Sequence, residues 1–468
     1  MKKTRLLFFL LILQVPVFTQ VIIQGSAIGY EKKKIALYKI DDYISNHETL
    51  VKEGLIDDRG YFKISAEIPS IEKYIIRVQN CFAYLYLQKN STYTIEIPKN
   101  EDFNKVSLNK KEVEITLFDL DSNDINYKIL GFQAWMDSYL SNIYYSKEAD
   151  ENNFIKQIIA FKNEVESVYA NDTSTFFIDF LKYSIGQNIE NLKFRGSSSN
   201  DDKNLFYFEG QDILYKNDAY MEYLKSFYKK YLFQIKGVAS KDIYTAIVRG
   251  DLYLTDSLLK IDSYLKDDKF RELVLLNLLR EESYSSYIPK SSILSLIQSI
   301  SLESDFDENV SIAKNLLANY NFASIGFRFP EISIGDKEAP LNLSTIKGKY
   351  FYIHAFDPTS PKCINEIAAL KKLYDKYGKQ IEFITIYLDP ERAYSKVEQR
   401  NLDVLNWRKK SYKVSDPIWE NLQIISFPYY MLVDDSYYLL ASPALSPIPN
   451  NNYQSIEKTL YDIIHRDD

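Results

Sequence analysis

The side chains that could do chemistry in this chain are few. Cysteine occurs at Cys81 and Cys363 only, and histidine at His47, His354 and His465. These five residues stand far apart and show no metal-ligand spacing, so no metal is expected. The most suggestive constellation is Ser360-Pro361-Lys362-Cys363. Serine followed by proline reads as the N-cap and first residue of a helix, with the hydroxyl accepting a backbone N–H. Cys363 then falls on the third helical position. A thiol there is either activated by the helix N-terminus or buried as a small, inert core residue, and the second reading is favoured. His354 reads as a satisfied, half-buried histidine rather than a general base. A Ser360/His354 hydrolase would need an acid partner and the glycines of a nucleophile elbow, which do not surround Ser360. The Asp41-Asp42 and Asp434-Asp435 pairs are expected to be solvated loop acids. No glycine loop suited to phosphates is present, and no cofactor is expected.

The elements around Cys363 follow a β/α pattern. Lys349 to Phe356 is an apolar strand, Ile364 to Tyr377 an amphipathic helix ended by Gly378, and Ile381 to Leu388 a second strand. A helix is predicted from about Glu391 to Leu405. Tyr429 to Val433 and Tyr437 to Leu440 form a hairpin-like pair, and Tyr453 to Ile464 a closing helix. That order predicts a mixed sheet covered on both faces.

In these particulars the C-terminal part, residues 326–468, resembles a thioredoxin fold. Gly348-Lys349-Tyr350-Phe351-Tyr352-Ile353-His354-Ala355-Phe356 is similar to the strand leading into the family's W-C-x-x-C motif, and Cys363-Ile364-Asn365-Glu366-Ile367 to its second cysteine and following helix. Ser426-Phe427-Pro428-Tyr429 resembles the cis-proline loop, and Met431-Leu432-Val433-Asp434 the strand after it. The lead-in from Phe327 through Leu343 is similar to that of TlpA-like thiol–disulfide oxidoreductases of the cell envelope. The resemblance implies that Ser360 occupies the position of the attacking cysteine, Thr359 that of the aromatic before it, and His354 that of the buried acidic proton carrier. It implies a cis bond at Pro428, and a binding role for Pro428, Phe427 and His354. Disulfide exchange needs an attacking thiolate and a resolving thiol, and a hydroxyl cannot form a disulfide. The motif is therefore degenerate, S-x-x-C in place of C-x-x-C.

At 468 residues the chain is long enough for two or three cores. Residues 20–100 contain short β-branched and aromatic runs separated by turns such as Asp57-Asp58-Arg59-Gly60, predicting a small antiparallel β-sandwich. Residues 125–320 change to helical spacing, as in Tyr220, Leu224, Phe227, Tyr228 and Tyr231, or Leu273, Leu276 and Leu279, predicting a helical spacer. Ser291 after Pro289 reads as a cap for the helix carrying Ile293, Ile297 and Ile300, and the loop Gly196 to Asp202 divides the region. A content of 46% hydrophobic and 26% charged residues fits a globular protein, and a net charge of −7 without a Lys/Arg stripe argues against nucleic acid.

Met1-Lys2-Lys3-Thr4-Arg5 followed by apolar Leu6 to Phe18 has the form of a signal peptide, 1–19, with the mature chain beginning near Gln20 and no other membrane segment. In an oxidising compartment a Cys81–Cys363 bridge is chemically allowed, although unbridged cysteines are the favoured reading. The whole order resembles multi-domain exported proteins of Bacteroidetes-type bacteria. The expectation is an exported protein of the periplasm or outer-membrane-associated envelope, related to oxidoreductases of redox homeostasis. It is expected to be redox-inactive and to bind a protein or peptide partner. Two alternatives stand beside it: a one-cysteine oxidoreductase using Cys363, and a structural envelope protein.

Overall fold

A computed structural model describes residues 20–99, 110–146, 151–190, 199–283, 287–321, 328–330, 332–334, 341–389, 392–414 and 416–465. The signal segment 1–19 and the start of the Gly196 loop, 196–198, lie outside these residues.

The first strands are β1 (Gln20–Ser26), β2 (Lys34–Ile40), β3 (Glu48–Leu55), β4 (Tyr61–Glu67), β5 (Glu72–Val78), β6 (Cys81–Leu87) and β7 (Thr92–Glu96), followed by the short β8 (Lys111–Glu112) and β9 (Thr116–Phe118). They form two sheets, ordered β4-β1-β7-β9 and β3-β2-β5-β6-β8. Alternation places Val21, Ile23, Ile35, Leu37, Tyr74 and Ile95 in a shared core. The expected purely antiparallel sandwich is corrected in two places, because β1 pairs with β7 and β6 with β8 in parallel. Gly25 permits the first of these pairings: its φ is +153° and a Cβ there would lie 1.7 Å from the Ile95 carbonyl oxygen.

Ten helices follow among the described residues: α1 (Ile125–Ser146), α2 (Glu151–Val168), α3 (Thr175–Ile185), α4 (Asn200–Tyr207), α5 (Asp218–Phe227), α6 (Ser240–Arg249), α7 (Leu252–Leu259), α8 (Asp268–Glu282), α9 (Lys290–Glu303) and α10 (Asp307–Asn321). Leu273, Leu276, Leu279, Ile293, Ile297 and Ile300 are all buried, as their spacing predicts. Ser291 is not the cap of α9. Pro289 holds that position, so Ser291 falls inside the first turn. Ser199 instead caps α4 through a capping box with Asp202.

Helices and sandwich share one apolar cluster, in which Ile40, Tyr43, Ile44, Ile75 and Tyr86 pack with residues of α1, α3 and α5. Polar groups key the same seam. Asn126 pairs with both backbone groups of Tyr86, while the Tyr86 hydroxyl donates to Asp218 at 2.5 Å and Lys73 lies 3.0 Å from the same carboxylate. Asp42 is not a solvated loop acid. It is buried, accepts the N–H groups of Ile44 and Ser45, and receives the Asn315 amide at 2.9 Å.

The C-terminal part contains β10 (Ser333–Ile334), β11 (Leu341–Asn342), β12 (Tyr350–Phe356), α11 (Pro361–Tyr377), β13 (Ile381–Asp389), α12 (Lys396–Asp403), β14 (Arg408–Lys413), α13 (Ile418–Asn421), β15 (Tyr429–Val433), β16 (Leu439–Ala441) and α14 (Ile456–Ile464). The main sheet is ordered β14-β13-β12-β15-β16, with β12, β13 and β14 parallel and β15 antiparallel to β12. This is a mixed sheet, as the element order predicts. Tyr352 and Phe356 pack beneath α11 on one face, whereas Phe351, Ile353 and Ala355 pack with Trp419 and Leu422 beside α13 on the other. The continuous apolar composition of β12 follows from burial on both faces.

Candidate functional site

The site forms where β12 ends and α11 begins. Asp357 is buried and accepts both the backbone N–H and the hydroxyl of Thr359 at 2.8 Å, which fixes the turn before the helix. Ser360 holds the N-cap backbone position, with φ −78° and ψ 120°, and its carbonyl accepts the Ile364 N–H. Its hydroxyl makes no capping bond. The expected cap bond is therefore not made, although Ser360 keeps the N-cap backbone position. Pro361 brings no N–H to the first turn, so one usual orphan donor is missing there.

Cys363, in the first turn of α11, is fully buried. Burial pushes its thiol up to about 11, and the neighbouring Asp357 backbone and Ser360 side chain offset that only in part. At neutral pH the sulfur is a protonated thiol. Cys81 is also buried, and both cysteines are free, so the bridge does not form. Tyr30 donates its hydroxyl to the Cys81 sulfur at 3.4 Å.

His354 departs from the expected half-buried, satisfied state. It is 1% exposed in the central strand, with Thr385 and Tyr430 as its register partners on either side. Its ring stacks on Tyr430 at 5.0 Å, and Nδ1 lies 3.4 Å from Thr385 Oγ1, which accepts from Trp407 Nε1 at 2.9 Å. Nε2 is buried without a hydrogen-bond partner. Desolvation pushes the imidazole down to about 3, so the ring is neutral at ordinary pH. His354 shares the α11 face with Tyr352 and Phe356, which cluster with Cys363.

The Phe427–Pro428 peptide is cis, and so is Ser442–Pro443, which the sequence reading did not anticipate. Pro428 opens onto a cleft of about 720 Å³. One wall is α11, through Lys362 and Glu366; the other is the segment from Pro443 to Gln454. Tyr430 forms part of the lining and donates to Glu366 at 2.6 Å. Burial drives the Tyr430 hydroxyl far above its ordinary value, so it is a donor throughout the working range. Phe427 packs partly buried against Trp419 at 5.3 Å, edge to face. Sequence reasoning missed Glu366, Tyr430 and the Pro443 wall. Their one signal was position, Glu366 one turn after Cys363 and Tyr430 two residues after Pro428.

The remaining candidates do not join this site. His47 pairs with Asp41 at 2.8 Å, and Asp434 accepts the Ser436 and Tyr438 N–H groups in a turn. Among the described residues no group of three or more His, Cys, Asp or Glu could hold a metal ion, and no helix is long and apolar enough to cross a membrane.

No family model and no curated protein matches the chain. Solved structures do. A thioredoxin-like protein from Bacteroides caccae is 14% identical over 63% of this chain and 95% of its own, with a TM-score of 0.31. A putative thiol-disulfide oxidoreductase from Bacteroides vulgatus is 26% identical over 30% of this chain and 96% of its own, with a TM-score of 0.24. The thioredoxin domain of another thiol-disulfide oxidoreductase from Bacteroides vulgatus is 18% identical over 31% and 96%, with a TM-score of 0.25.

Proposed function

We propose that this chain is an exported cell-envelope protein with a thioredoxin-like C-terminal part that has lost disulfide exchange and binds a protein or peptide in the cleft beside Pro428. The leader 1–19, sandwich 20–100, helical region 125–320 and thioredoxin-like region 326–468 are the divisions of this reading. Its central support is the serine at position 360, three residues before Cys363 at the start of α11. Oxygen stands where an attacking sulfur would be, and the remaining thiol is buried and protonated. The cleft does not depend on that chemistry. Proline rings, tyrosine faces, Lys362 and the Glu366 carboxylate offer apolar and polar contacts that an extended segment can use.

A coupled insulin-reduction assay with dithiothreitol tests the reading, run on the unmodified protein and on Ser360→Cys. The expected result is background turnover for the former and a gain in the variant, whose two sulfurs are at the spacing disulfide exchange requires. Turnover by the unmodified protein refutes the proposed loss. The lone-thiol alternative asks a fully buried, protonated sulfur to attack a partner, which its surroundings oppose.

A further inference from the structure

The sandwich and the helices are fused by a common apolar core, but among the described residues the C-terminal part shares none with them. Two apolar clusters end by Tyr320, and the other two begin at Phe329. No described strand or helix from β10 onward packs extensively against an earlier element. Among the described residues, polar links join the two parts at Glu420 in α13 and at Gln423 just after it. Lys110, just ahead of β8, reaches Glu420 at 2.8 Å while lying 3.7 Å from Glu48, which Arg77 holds at 2.6 Å. Gln423, one turn further, donates to the Asn319 carbonyl at 3.1 Å, and Asn319 in turn donates to the Ser45 carbonyl at 3.0 Å.

We propose that these two points form an electrostatic clasp that docks the thioredoxin-like part on the sandwich–helix body and opens as ionic strength rises. α13 is a rigid handle, because Trp419 and Leu422 are buried in the core of the C-terminal sheet. It lies on the sheet face opposite α11 and its cleft wall, so opening the clasp reorients the cleft without altering its lining. Small polar interfaces between parts of one chain permit relative motion by default. The ion pair is exposed on both sides, so mobile ions compete with it directly. The inference is independent of what the cleft binds.

The test is a distance measurement by pulsed electron paramagnetic resonance on the full chain. Nitroxides are placed at Tyr253→Cys in α7 and Val397→Cys in α12, both strongly exposed, while the buried native cysteines stay unlabelled. In about 50 mM NaCl a single narrow distance is expected. It should broaden severalfold at about 1 M, where the screening length falls to ~3 Å. At low salt Glu420→Lys should broaden it likewise, and Lys110→Ala with Gln423→Ala should do so fully, with tryptophan fluorescence unchanged. A distance that stays narrow in high salt and in these variants overturns the clasp, as does one already broad in the parent protein at low salt.

Discussion

Acid should destabilise the C-terminal part through His354, and the size of the effect follows from its surroundings. The ring is buried among Tyr430, Phe356 and Thr385, whose hydroxyl accepts from the Trp407 indole, and no charged group among the described residues pairs with it. Tyr430, the titratable group stacked on it, stays protonated. The folded state therefore keeps the imidazole neutral down to about pH 3, while the unfolded chain protonates it from about 6.5. The depressed folded value fixes the sign: this stability is complete above 6.5 and is lost as pH falls toward 3. Each pH unit below the unfolded value costs about 1.4 kcal/mol, so a fall to pH 5 removes about 2 kcal/mol. Urea unfolding followed by tryptophan fluorescence in a Trp135→Phe background reports this part alone, because Trp407 and Trp419 both lie within it. His354→Leu should flatten the loss between pH 7 and pH 5 by about 2 kcal/mol. His354→Gln provides a second non-titrating comparison. Equal pH slopes in the parent and both variants would refute the buried, neutral histidine.

Cys363 should resist a thiol probe at neutral pH in the native protein and react once the chain is unfolded; rapid native labelling would contradict its burial and raised pKa. Asp218→Ala should destabilise the sandwich–helix body by about 2–3 kcal/mol, since it strands the buried Tyr86 hydroxyl and leaves the partly hydrated Lys73 unpaired. Because Asp218 joins both regions, buried amides of the sandwich and of α1, α3 and α5 should lose hydrogen-exchange protection together, and separate loss in the parent would exclude a common core.

What the sequence disclosed depends on how each element meets solvent. β12 and β13 were legible because central parallel strands buried on both faces read as continuous apolar runs. β14 was not, since Arg408-Lys409-Lys410-Ser411-Tyr412-Lys413 is an edge strand whose lysines follow the logic of edge protection rather than of a core. β3 went unseen for a related reason: it is the edge of its sheet, and its side chains are exposed or half-buried throughout. The Ser360–Cys363 spacing was readable, but the direction of the hydroxyl was not. Local sequence records the residue that could cap, but not whether the turn built by Asp357 and Thr359 lets its hydroxyl reach the helix N–H groups.

The same limit explains the histidine and the cleft. His354 looked half-buried because a polar residue in a strand usually keeps some water; its neighbours Thr385 and Tyr430 come from strands more than 30 and 70 residues away and close both sides. The cleft wall from Pro443 to Gln454 carries proline and asparagine without a period, so neither its place opposite Lys362 and Glu366 nor the cis peptide at Pro443 could be read locally. The proposed loss of exchange thus rests on a local motif, whereas the proposed binding surface rests on long-range packing. If the Ser360→Cys variant gains exchange while its cleft is unchanged, loss of the sulfur and retention of the surface are separable, as the opposite requirements of a reactive thiol and a binding wall demand.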